Sequence, residues 1–204
     1  MKQNRIIGIV GRKGSGKSNA FVRILSWCPR ILLWDATGEH EWVPNTVTDI
    51  GGLRNFLIQC HQRARFAVRL VPRSLEEIHG FCETAFGCNL VTIGLEEIPS
   101  FSSAGSMPRE FERLVLQGRH HGLNIIWTAQ RFAEVPRTLT AQCDAFVIFH
   151  AGEPIDLQAI EARTGSEFRR AVQELPRYSA LVYDVNLAES YAMGPEAARR
   201  VLRT

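Results

Sequence analysis

Apolar runs and helically spaced apolar positions alternate along the chain from its start. Ile6, Ile7, Ile9 and Val10 form a strand-like run, and Phe21, Ile24, Leu25 and Cys28 recur behind it at helical spacing. Pro29 stops that helix, and Ile31-Leu32-Leu33-Trp34 reads as a buried strand ending at Asp35. The polar stretch Thr37-Gly38-Glu39-His40-Glu41 is a loop. Ile50, Leu53, Phe56, Leu57 and Cys60 predict the next helix, and Phe66 to Val71 the next strand. Ser74-Leu75-Glu76-Glu77 fits a capping box, opening a helix whose predicted inner face is Leu75, Ile78, Cys82 and Ala85. The strand Leu90 to Leu95 then runs into Glu96-Glu97.

Serine and glycine crowd Pro99 to Met107, which predicts a mobile loop. Pro108 starts a helix with Phe111, Leu114 and Val115 inward, closed by Gly118. Gly122 to Ala129 is a strand ending at Gln130-Arg131, and Ala145 to Phe149 is another. Pro154 leads a helix with Leu157 and Ile160, Gly165 punctuates, and Phe168, Val172 and Leu175 mark one more. Leu181-Val182-Tyr183 and Tyr191-Ala192-Met193 predict a terminal strand pair followed by a short basic tail, together about 178–204. This βαβα order predicts one α/β domain over 1–204: a mostly parallel sheet with helices on both faces. Ligands of such sheets bind beyond the carboxyl ends of the strands. Asp35, Glu96, Glu97 and Gln130 all follow predicted strand ends, so topology gathers them at one edge.

That edge also receives Gly11-Arg12-Lys13-Gly14-Ser15-Gly16-Lys17-Ser18, which matches G-x-x-x-x-G-K-[ST] at every fixed position and sits between a predicted strand and helix. Its glycines let backbone N–H groups turn inward around a phosphate, and the following helix start, through Asn19, adds partial positive charge. Lys17 would reach the terminal phosphates of a nucleoside triphosphate and the Ser18 hydroxyl would ligate Mg²⁺.

Composition changes the picture little. Net charge is +3, too mild to prove a polyanionic partner, although arginine clusters at Arg63/Arg65/Arg69/Arg73 and Arg199/Arg200/Arg203 suit phosphate recognition and subunit contacts. Genomic base composition would produce the same bias. Cys28, Cys60, Cys82, Cys88 and Cys143 are odd in number and lack C-x-x-C spacing. Neither a disulfide framework nor a zinc site is predicted, buried thiols are, and the surroundings are expected to be reducing. No apolar run approaches the length of a membrane span, and Met-Lys-Gln-Asn-Arg leads directly into a strand, so a soluble protein with no secretory signal is expected. The six histidines form no ligand pattern.

Nucleotide hydrolysis needs a carboxylate near Mg²⁺, a group that orients or deprotonates water, and positive charge for the transition state. Glu96 suits the first role and Glu97 the second. An acidic pair also suits an ordinary helix start. Gln130 can donate to a γ-phosphate and accept from water, the chemistry of a sensor, or it can simply cap a strand.

Three further blocks give the chain a resemblance. Ile31-Leu32-Leu33-Trp34-Asp35-Ala36-Thr37-Gly38-Glu39, Trp127-Thr128-Ala129-Gln130-Arg131 and Val135-Pro136-Arg137-Thr138-Leu139, in this order behind the phosphate loop and continuing into Glu153-Pro154-Ile155-Asp156-Leu157, resemble the FtsK/HerA superfamily of ring-forming DNA-pumping ATPases. In size the chain looks most like the minimal genome-packaging ATPases of icosahedral double-stranded DNA viruses with an internal membrane. The resemblance implies a RecA-like (ASCE) P-loop NTPase fold, ATP and Mg²⁺, double-stranded DNA as substrate, a homo-oligomeric and hexameric ring, contact with capsid portal or vertex proteins, and action at the virion's packaging vertex and in host cytoplasm. It also implies that Arg119, in Gly118-Arg119-His120-His121-Gly122, enters the neighbouring subunit's site; an arginine at a helix end is favoured there in any case. The chain departs from the family in having Glu96 where an aspartate is usual. The loop Pro99–Met107 with Arg109 and Arg113 is the expected DNA contact.

Three other readings stand beside the packaging motor. One is a cellular or mobile-element HerA/FtsK-like pump. Another is a small-molecule P-loop kinase that uses Asp35 for magnesium. The third is a nucleotide-binding assembly factor without turnover.

Overall fold

The computed structural model describes residues 4–203. Met1, Lys2 and Gln3, which the sequence reading leads into the first strand, lie outside the described residues, as does Thr204. Nine strands form one sheet: β1 Ile6–Val10, β2 Arg30–Trp34, β3 Asn45–Val47, β4 Phe66–Leu70, β5 Thr92–Leu95, β6 Asn124–Ala129, β7 Ala145–Phe149, β8 Ala180–Asp184 and β9 Glu189–Ala192. Their spatial order is β3-β4-β2-β5-β6-β1-β7-β8-β9. Pairing is parallel from β3 through β7 and antiparallel for β7-β8 and β8-β9. β1 therefore lies between β6 and β7, with all five of its residues buried, as its unbroken apolar run requires.

Among the described residues eight α-helices cover the sheet: α1 Lys17–Leu25, α2 Ile50–Cys60, α3 Ile78–Phe86, α4 Arg109–Gln117, α5 Arg137–Ala141, α6 Pro154–Thr164, α7 Ser166–Gln173 and α8 Pro195–Arg200. The two faces are unequally dressed. Leu53, Phe81, Phe111, Leu139, Ile160 and Phe168 carry α2 to α7 onto one core with Trp34 and Trp127. Phe21, Ile24 and Leu25 of α1 and Ala197 and Ala198 of α8 close the other. Gly8, between Ile6 and Val10 on β1, leaves room for Trp127: a Cβ there would stand 2.3 Å from the indole.

Four expectations need correction. The C-terminal basic tail is helix α8, packed against α1, because Pro195 opens a helix whose Ala197 and Ala198 are small enough to lie flat on that face. β3 was not anticipated; three residues with no buried position carry too short an alternation to read. Leu75 is 45% exposed, because the capping box at Ser74 opens a separate 3₁₀ turn, Leu75–Glu77, and Phe81 takes the inner position instead. The segment Pro99–Met107 is not a plain loop: Ser103 and Ser106 exchange two backbone hydrogen bonds of 2.8 and 3.1 Å in a tight hairpin, and Arg137 N–H donates to Ala104 O. All five cysteines are free, four of them buried. Burial pushes the Cys28, Cys82, Cys88 and Cys143 thiols up, away from reactive thiolate.

Candidate nucleotide site

The loop between β1 and α1 closes on itself as its sequence predicts. Gly14 and Gly16 take positive φ of 74° and 105°, and Gly16 passes so near Phe149 that a Cβ would stand 3.2 Å from the ring. Gly11 is held by its N–H on Ala129 O, and its own Cβ would collide with Phe149 and with Ser15 Oγ. Arg12, Lys13, Ser18 and Asn19 are exposed. Arg12 pairs with Glu153 at 3.1 Å, which ties the loop to the start of α6. Lys17 Nζ donates to Arg12 O at 3.3 Å, curling back over the loop. Burial lowers the Lys17 pKa, and the negative charges of Glu97 and then Glu96 pull against it without reversing the direction.

Parallel pairing of β1, β2, β5 and β6 brings Asp35, Glu96, Glu97 and Gln130 to this edge, as their positions after strand ends predict. Their environments differ. Asp35 is fully buried and spent: Glu39 N–H and His40 N–H donate to it at 3.1 and 3.0 Å, and Arg69 Nη1 does so at 3.0 Å. A carboxylate so saturated has little left for a cation, which removes the observation the kinase reading needs. Its effect is to fold residues 35–40 back on the strand, setting Thr37 and His40 against Glu96. Thr37 Oγ1 donates to Glu96 Oε2 at 3.0 Å, and His40 Nε2 lies 3.1 Å from the same oxygen. Burial alone would raise Glu96, but the His40 imidazole beside it and the Thr37 hydroxyl outweigh it and the pKa is lowered.

Glu97 is built for another task. Its backbone sits at φ 54°, ψ 67°, a left-handed conformation that costs a non-glycine residue about 1–2 kcal/mol and is most often retained at functional sites. Thr128 Oγ1 accepts from its N–H at 2.9 Å, and its Oε1 accepts from Gln130 N–H at 3.2 Å. Desolvation raises its carboxyl pKa above the ordinary range in spite of those bonds and of Lys17. The Gln130 side chain is exposed at the same edge. A depressed carboxyl beside a raised one is the pattern expected when one group holds charge and its neighbour exchanges a proton.

Asp35, His40 and Glu96 offer donor atoms within 4.8 Å of one another. They do not form a site for Mg²⁺ among themselves, since Asp35 and one Glu96 oxygen are already engaged and an imidazole is a poor ligand for that ion. The second Glu96 oxygen has no protein partner among the described contacts, and a hard cation takes oxygen donors of this kind and of the Ser18 hydroxyl's kind while keeping most of its waters. Bound there, the ion would neutralise phosphate charge.

Arg119 stands apart. It lies in the 3₁₀ turn Gly118–His121 that precedes β6, at the amino end of the strand whose carboxyl end carries Gln130. It is thus across the sheet from its own phosphate loop and does not join this site. Arg113, expected beside the 99–107 loop, is exposed with its guanidinium 3.9 Å from the Phe86 ring centroid, and exposed Arg137 is tied to the hairpin through Ala104 O. The sequence reading missed Thr37, His40 and Arg69 as site residues. Nothing in their spacing marks them, because each acts through a contact that only the folded loop creates.

Neither a family model nor a curated protein matches this chain. Solved structures do. The genome-packaging NTPase B204 from Sulfolobus turreted icosahedral virus 2, in complex with AMPPCP, superposes with a TM-score of 0.75 at 20% identity over 94% of this chain and 98% of that one. B204, the DNA-packaging ATPase from Sulfolobus Turreted Icosahedral Virus, gives 0.74 at 21% over 96% and 99%. This chain shares the P-loop NTPase fold of these structures. The pCW3 conjugation coupling protein TcpA, as a monomer with ATPγS, gives 0.56 at 13% identity over 98% of this chain and 65% of its own. At these identities the likeness concerns the P-loop NTPase fold and carries no residue role across.

Proposed function

We propose that the chain is an ATP-hydrolysing motor subunit that moves double-stranded DNA and packages a viral genome into a preformed capsid. The observation that carries this reading is a fold shared end to end with the packaging NTPase B204, joined to a phosphate loop whose edge holds one depressed and one raised carboxyl, Glu96 and Glu97. Lys17 and the loop amides bind the phosphates, and Ser18 and Glu96 hold Mg²⁺. Glu97 takes the proton of the attacking water, and Gln130 orients that water. Arg119, facing away from its own site, completes the site of the next copy in a homo-oligomeric, hexameric ring, so that hydrolysis waits on assembly. The exposed 103–106 hairpin with Arg109 meets the phosphate backbone, a contact indifferent to sequence. Capsid portal or vertex proteins receive the ring at the packaging vertex in the host cytoplasm. No described helix is long and apolar enough to cross a membrane.

The packaging reading is preferred to a HerA/FtsK-like cellular or mobile-element pump because B204 superposes at a TM-score of 0.75 and TcpA at 0.56. The test is the rate of phosphate release with and without long duplex DNA over a range of protein concentrations. A rise in specific activity with concentration, increased further by DNA, is expected. Equal specific activity at every concentration, indifferent to duplex, overturns the reading.

A further inference from the structure

A phosphate loop holds one end of a nucleotide; the base must rest elsewhere. One cavity against the loop, between Gly11 and Gln130, has a volume of about 10 Å³, room for little more than a water molecule. Another, of about 280 Å³, opens at Gly16 and Asn19, just past the phosphate-binding residues, and is bounded by Arg23, Phe149, Tyr178 and Met193. Its size is near the lower limit of ligand pockets, which run about 300–1,000 Å³. It holds an aromatic side chain whose placement the fold does not explain.

That side chain is Tyr178. Ser179 N–H donates to Pro176 O at 3.1 Å, closing a turn over Pro176–Ser179 with Tyr178 in third place at φ 66°. A turn with positive φ at that position takes glycine or asparagine, and a bulky aromatic there is strained. Burial does not compensate, since Tyr178 is 64% exposed. Its ring lies 4.9 Å from the Arg177 guanidinium, which occupies one face. A strained, exposed aromatic bordering an open pocket next to a phosphate loop is a device for holding a flat ligand.

We propose that Tyr178 is the base-stacking residue of this site. The phosphates lie in Gly11–Ser18, the ribose passes Asn19, and a purine stacks on the ring face that Arg177 leaves open, above the first turns of α1. Asn19 and Arg23, the polar side chains of the lining, are both exposed and unfixed by burial. Recognition is therefore by stacking area and not by a hydrogen-bond pattern, so adenine and guanine nucleotides bind alike and cytosine nucleotides more weakly. This assignment rests on the nucleotide-binding reading above.

Equilibrium binding of methylene-bridged analogues of ATP, GTP and CTP, with inorganic triphosphate as the baseless control, tests it. Tyr178→Gly removes the ring and suits the turn, so its melting temperature should equal or exceed that of the native chain. The expected result is about a 10-fold weaker dissociation constant for the ATP and GTP analogues, about 1.4 kcal/mol, with triphosphate affinity unchanged and Tyr178→Phe close to native. Tyr178→Gly binding the ATP analogue within twofold of the native chain overturns the inference while leaving the phosphate site standing. An ATP analogue binding more than tenfold tighter than the GTP analogue overturns stacking as the basis of recognition. A native chain that binds neither analogue nor triphosphate overturns the nucleotide-binding reading itself.

Discussion

His40 Nε2 lies 3.1 Å from Glu96 Oε2, with the side chains only 4% and 10% exposed. One oxygen of the longer carboxylate is thereby drawn to the imidazole, and Thr37 holds it from another side. His40→Ala should raise the Mg²⁺ concentration for half-maximal phosphate release by about 10-fold, the lower end of what loss of a ligand's supporting contact costs. His40→Gln, which keeps a donor, should recover part of it. A Mg²⁺ titration of all three proteins reads the difference.

The same pair sets a pH window for stability. Burial would lower His40, but Glu96 outweighs it and the pKa is raised; that contribution is present below the ordinary histidine value of about 6.5 and is lost as pH rises through the folded value. Glu96 is depressed, so its contribution is present above the ordinary carboxyl value of about 4.3 and is lost as pH falls through the folded one. The gap in melting temperature between the native chain and His40→Ala should therefore be widest between those limits and narrow on both sides. Thermal melts across pH measure it.

Glu97 shows the opposite sign. A carboxyl whose pKa desolvation raises costs the folded state stability wherever it is ionised, because the unfolded chain gives up that proton more readily. Glu97→Gln should abolish phosphate release yet raise the melting temperature at pH 7 by about 1–3 °C, with the gain fading as pH falls towards the raised value and Glu97 becomes neutral. A stabilised, inactive variant separates a catalytic role from a scaffolding one.

Arg119 lies at the amino end of β6 and Lys17 beyond the carboxyl end of β1, on opposite edges of the sheet, so the proposed ring would draw them from two copies. Arg119→Ala and Lys17→Ala should each be inactive alone. Mixed before assembly they should recover a fraction of native phosphate release, since a junction pairing the intact lysine of one with the intact arginine of the other is complete. Mixtures as inactive as the separate variants would remove Arg119 from the neighbouring site.

Gly8 faces Trp127 with no space for a methyl group. Gly8→Ala should cost about 1–3 kcal/mol by overpacking and lower the melting temperature by several degrees, measured by circular dichroism. The five-residue β1 would survive; its packing on β6 would not remain native.

Most of the architecture was legible in the residues. Ile6 to Val10 and Ile31 to Trp34 carry no polar side chain and the strand after Gly122 is mostly apolar, because these strands are buried on both faces, and α4 shows its inner side as Phe111, Leu114 and Val115. Short or shared elements were not. β3 has three residues and no buried position, and α8 is recognised only by what it covers. In the site, the phosphate loop and Glu96-Glu97 were readable because neighbouring residues act together, whereas Thr37 and His40 are 59 and 56 positions from the carboxylate they hold.

Local chemistry is thus written in the chain itself: where a phosphate is gripped, which strand ends bear acids, and in what alternation the layers come. Tertiary structure alone decided which of those acids is free to act. Asp35 and Glu96 both end apolar strands, yet one is saturated by backbone amides and an arginine, while the described hydrogen bond to the other falls on a single oxygen. Solvation and hydrogen-bond partners come from distant segments brought together by the sheet, and a carboxyl group's chemistry depends on them more than on its place in the sequence.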